Sequence, residues 1–156
     1  MGNGRPTSPP GIRDANGSIS AAGAAVILLD THAWLWLCLE PRQLSPTATR
    51  AIRRAATADG LAVASISLWE VSMLIARGRV LPEGSPEAWL GSLIDRSDVT
   101  VREITPAVAS LATHFPAEFP ADPADRLIAA TARAAGMPLV SRDARLRGSP
   151  LVETIW

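Results

Sequence analysis

The chain has 156 residues, no formal net charge, 47% hydrophobic and 19% charged side chains, a balance that fits one soluble globular domain with a single core. All fifteen cationic side chains are arginine, so chemistry that needs a lysine amine, including Schiff bases, Walker A phosphate loops and receiver domains, is excluded. A globally basic nucleic-acid-binding surface is excluded too, leaving local patches and metal to hold any such partner.

Residues 1–23 are rich in Gly, Pro, Ser and Asn and nearly free of large apolar side chains, which predicts a flexible tail before an ordered domain over 24–156. Ala25 to Leu29 is a continuous apolar run of the kind a central parallel strand needs, buried on both faces. Helical patterns follow over 47–58, with Arg50, Arg53 and Arg54 on one face, and over 67–77, after the apolar run Leu61 to Ala64. Ser85-Pro86 and Thr105-Pro106 each read as a cap with proline at the first helical position, flanking a third strand from Val99. Asp122-Pro123 opens the longest helix, ended by Gly136 as a left-handed cap, and Leu139-Val140 forms a fourth strand. Trp156 is expected to finish an edge strand. Strands alternating with helices predict an α/β fold, a parallel sheet covered on both faces.

Cys38 is the only cysteine, so there is no internal disulfide and no zinc motif, and a reducing, cytoplasmic setting is expected. No run approaches the roughly 18 apolar residues of a membrane span, and the apolar segment of a secretory signal is missing.

Four acids, Asp30, Glu70, Asp125 and Asp143, stand just past apolar runs, the position that points into the ligand crevice of an open α/β sheet. Each has a structural explanation. Asp30, Asp122 and Asp143 can cap helices, and Glu70 stands three residues after Ser67 in capping-box spacing. Independent caps, however, have no reason to fall at one end of a parallel sheet, with strand, acid and helix in that order each time. Gathered there, carboxylates repel one another unless a divalent cation shares them. His32 and His114 lack metal spacing, and Ser65, Ser67 and Ser141 lack a nucleophile elbow, which leaves metal-activated water as the attacking group. Arg126, Arg142 and Arg145 lie beside the acids and are candidates for contacting substrate phosphate. Trp34, Trp36, Trp69 and Trp89 read as core or interface.

With Leu28-Leu29-Asp30-Thr31-His32, Ser67-Leu68-Trp69-Glu70, Asp122-Pro123-Ala124-Asp125-Arg126-Leu127-Ile128-Ala129-Ala130 and Leu139-Val140-Ser141-Arg142-Asp143 in this order, the chain resembles the PIN-domain ribonucleases, and among them the VapC toxins of bacterial toxin-antitoxin pairs. The resemblance covers about residues 25–156; any one motif is common, whereas the four in series are specific. It implies a three-layer α/β/α sandwich with a mainly parallel central sheet and Mg2+- or Mn2+-dependent endonucleolytic hydrolysis of RNA. Partners implied are a cognate antitoxin and a second copy of the chain, with no role for a membrane. Asp30, Glu70, Asp125 and Asp143 would surround the metal, Asp122 would cap the helix that orients Asp125, and Thr31 would hold a water through its hydroxyl. Where relatives usually carry an aromatic residue this chain has Ala124, implying a more open groove wall. The alternative function is a non-catalytic PIN-like module that binds RNA or protein; a phosphatase with Asp30 as nucleophile is disfavoured because no second Asp stands two residues on.

Overall fold

The computed structural model describes residues 25–156, so the tail expected over 1–23 lies outside the described residues. Five strands form one sheet in the order β3-β2-β1-β4-β5, comprising β1 (Ile27–Leu29), β2 (Leu61–Ala64), β3 (Val99–Arg102), β4 (Leu139–Val140) and β5 (Thr154–Ile155). Every pairing is parallel, so the mainly parallel sheet expected from the sequence is wholly so. β1, β2 and β4 are buried at every residue, because each has a strand on either side and helices above and below. β3, at one edge, alternates instead, with Val99 inward and Thr100 exposed. The other edge is β5, followed by Trp156.

Two apolar cores sandwich the sheet. On one face Ile27, Leu29, Leu61 and Val63 pack with Trp34, Ile52, Val71 and Leu93, contributed by α1 (Thr31–Leu39), α2 (Pro46–Ala56), α3 (Ser65–Ala76) and α4 (Pro86–Ser97). On the other, Leu28, Ala62, Ala64 and Leu139 pack with Val108, Phe115, Ile128 and Leu146, from α5 (Pro106–His114), the loop after it, α6 (Pro123–Ala134) and α7 (Ala144–Arg147). The result is the three-layer α/β/α sandwich. Trp34 is fully buried, and its indole N–H is satisfied by Ser97 Oγ at 3.0 Å, as a buried tryptophan requires.

Local chemistry ends the helices where the sequence says it should. Ser45, Ser85 and Thr105 accept hydrogen bonds from the third residue after each, with proline next in line. Gly136 leaves α6 at φ 62°, a left-handed turn that costs glycine nothing. The chain passes from β1 to β2 and β3 on one side, then returns to place β4 on the other. That reversal beside β1 opens a crevice at the carboxyl ends of the strands, where such sheets hold ligands. No helix among the described residues is long and apolar enough to cross a membrane.

Candidate active site

Leu29 pairs with Val140, so the residues that follow them, Asp30 and Ser141, leave the sheet side by side. The Asp30 amide donates to Val140 O at 3.0 Å, and the Asp30 carboxylate caps α1 through Ala33 N at 2.6 Å. Burial raises its pKa above the usual carboxylate value, opposed by hydrogen bonds from Ser141 and Ala33. Ser141 Oγ also accepts from Asp143 N at 3.1 Å, which seats Asp143 as the cap of α7. Ser141, set aside in the sequence for want of a nucleophile elbow, thus ties two of the acids together.

Glu70 arrives by a different route. α3 begins at Ser65, directly off β2, with Ala64 in the cap position and no side-chain cap. Ser67 therefore lies inside the helix, fully buried, and the expected capping box does not form. One and a half turns into α3, Glu70 reaches across to Thr31, whose hydroxyl donates to its carboxylate, while Ser67 Oγ sits 2.9 Å from Thr31 Oγ1. The Thr31 hydroxyl thereby orients Glu70. Burial, reinforced by the nearby charge of Asp122, raises Glu70, and the Thr31 bond opposes the shift.

Asp122 and Asp125 come from α6, which follows α5 and a loop rather than a strand. The order of strand, acid and helix expected for all four acids therefore holds at Asp30 and Asp143 only. Asp122 caps α6, accepting from Ala124 N at 2.8 Å and Asp125 N at 3.3 Å. Asp125, at the third helical position, is pushed up to about 6, first by burial and then by the charges of Asp122 and Asp143.

Arg126 corrects the expectation of a phosphate contact. Its Nε donates to Pro120 O at 2.8 Å, Nη1 to Ala112 O and Phe115 O, and Nη2 to Pro116 O and Phe119 O. A guanidinium has five N–H donors, and here each is spent on a carbonyl of α5 or the loop after it. The side chain pins that loop beneath α6 and has nothing left for a substrate.

The acids and Thr31 line one cleft of about 490 Å3, together with His32, Trp36, Arg142 and Arg145. Arg145 forks onto Asp143, Nε at 3.2 Å and Nη2 at 2.7 Å, and the same Nη2 reaches Asp125 at 3.3 Å. Its hydrogen bond holds the Asp143 carboxyl below the ordinary range. Sequence reasoning offered Arg145 as a phosphate contact from its nearness to Asp143; the link to Asp125 crosses two elements and leaves no local pattern. Arg142 lies over the Trp36 ring, 5.8 Å from its centroid, free to meet solvent at the rim. A neighbouring groove shares Thr31, His32, Glu70 and Asp122 and continues along Ile66, Trp69, Met73 and Arg77 to Ala124. Trp69 is 57% exposed there, not core.

Oxygen donors of this kind suit a hard divalent cation. Several carboxylates line the same cleft, and by the chemistry of that donor set the residues fit Mg2+ or Mn2+. Among the described residues, no three acidic, imidazole or thiol side chains are already drawn together as a finished coordination cage.

The family model described as "PIN domain" matches residues 27–148. Over 132 residues the chain is 42% identical to Ribonuclease VapC22 of Mycobacterium tuberculosis (strain ATCC 25618 / H37Rv), covering 83% of this chain and 98% of that protein. The fold is similar to VapBC2 of Rickettsia felis bound to a promoter DNA fragment (TM-score 0.63, 16% identity, 83% of this chain and 97% of that one). DNA-bound VapBC of Salmonella typhimurium is comparable, with TM-score 0.60, 17% identity, and the same 83% and 97% coverage.

Proposed function

Because the chain belongs to the PIN-domain family, we propose that it is a metal-dependent endoribonuclease of the VapC type, the toxin of a toxin-antitoxin pair, which hydrolyses RNA phosphodiester bonds. The observation that carries this reading is the convergence of Asp30, Glu70, Asp122, Asp125 and Asp143 on one cleft at the carboxyl ends of the sheet. Asp30, Glu70, Asp125 and Asp143 would hold Mg2+ or Mn2+, which when bound activates water and neutralises charge developing on the phosphoryl oxygens. Thr31 orients Glu70, and Asp122 fixes the turn of α6 that presents Asp125. Arg142, backed by Trp36, offers a fork for phosphate oxygens at the rim.

The similar solved structures are VapBC assemblies, which supports a cognate antitoxin as partner; a homodimer and a cytoplasmic setting complete the proposal. The test is RNA cleavage by purified protein with Mn2+. Asp30→Asn keeps the α1 cap, since asparagine caps as well as aspartate, and is expected to cut the rate on the order of 10^3-fold, about 4 kcal/mol in barrier. Cleavage by that variant at the unaltered protein's rate would sink the proposal.

A further inference from the structure

Arg145 stands where a cation is wanted. Its guanidinium grips both oxygens of Asp143 in a fork and shares Nη2 with Asp125, joining carboxylates 18 residues apart. Among the described residues, no other side chain bonds to both of these acids. The fork geometry is the strong form of an Arg–carboxylate contact, yet the side chain is 64% exposed, so charge rather than packing keeps it in place. An ion shared by Asp125 and Asp143 needs the oxygens that Arg145 occupies, and would meet its positive charge at contact distance.

We propose that Arg145 is the built-in counter-cation of the cleft, holding Asp125 and Asp143 together in the metal-free protein and yielding its place to the divalent ion, with which it competes. This rests on the metal reading above. Arg145 is a positioning residue, and the competition is gentle, because exposed ion pairs are individually weak. It keeps two like charges from splaying apart before the ion arrives, at the cost of some affinity once it does.

The experiment is Mn2+ titration of the full chain, followed by the resonance signal of free Mn2+, for the unaltered protein and for Arg145→Gln, Arg145→Lys and Arg147→Gln. Arg145→Gln is expected to bind Mn2+ roughly 3- to 10-fold more tightly, the range that one or two exposed ion pairs can supply. Arg145→Lys, which keeps the charge, and Arg147→Gln, on the same helix but outside the cleft lining, are expected to stay near the unaltered affinity. Circular dichroism checks that each variant is folded. A residue with a merely structural role would not tighten metal binding on removal. Equal or weaker binding by Arg145→Gln, while the unaltered protein binds normally, overturns the competition and leaves the nuclease reading standing. Absence of Mn2+ binding in every protein overturns both.

Discussion

The middle of the sheet and the crevice at its end are built from adjacent residues and obey opposite rules. Leu28, Leu29, Leu139 and Val140 are completely buried, and among the described residues no buried side-chain polar atom lacks a partner. One residue further along the same strands, Asp30, and the Asp125 that shares its cleft, are held with pKa values raised by burial and like charge. The layered interior therefore supplies the stability, and the crevice consumes part of it to keep like charges close. A cleft assembled against its own repulsion is ready for a cation, which is what a strained functional site on a stable scaffold looks like.

Substitutions that sharpen this contrast have effects of opposite sign. Trp34→Ala removes a fully buried side chain and its bond to Ser97, and is expected to cost about 3–5 kcal/mol by denaturant unfolding. Arg126→Ala abandons carbonyls of α5 and the following loop, for an expected loss of about 2 kcal/mol. It should also lower RNA cleavage, because the loop sets α6 and its two acids. RNA affinity that falls while stability is unchanged would instead make Arg126 a substrate contact.

Asp125→Asn should do the reverse of both, raising the stability of the metal-free protein by about 1 kcal/mol at neutral pH while cleavage is lost. The gain falls short of the full shift because Asp125 is partly open to solvent, which screens the charges around it. Asp30, Glu70 and Asp125 are all raised, so the folded chain binds their protons more readily than the unfolded one. The stability they confer is present in acid and is lost as pH rises through about 6, the value for Asp125. Asp143, lowered by Arg145, works the other way, its contribution being lost as pH falls. With three shifts against one, the metal-free melting temperature is expected to drop between about pH 4 and 6, and Asp125→Asn to flatten that drop. A profile that rises over this interval would contradict the electrostatic account of the cleft.

How much of this could be read from the sequence differs between the two regions. The buried strands were legible because a continuous apolar run has few other uses in a chain of this composition. Asp30 and Asp143 were legible because they follow such runs. Glu70 and Asp125 were singled out by the same rule but do not follow it in the fold, since one lies within a helix and the other follows a loop. The capping box at Ser67 failed because α3 starts two residues early, straight from β2, so spacing alone misplaced the helix end. Arg126 misled for a plainer reason: backbone carbonyls accept hydrogen bonds from any sequence, and nothing in the residue string announces that they will converge on one guanidinium.

The position of β1 in the centre of the sheet has a kinetic corollary. Asp30 and Asp143 ride on strands whose amides are clamped by neighbours on both sides, while Asp122 and Asp125 follow the loop of 115–122. Amide hydrogen exchange in such an arrangement is slowest along the paired strands and fastest in the connecting segment.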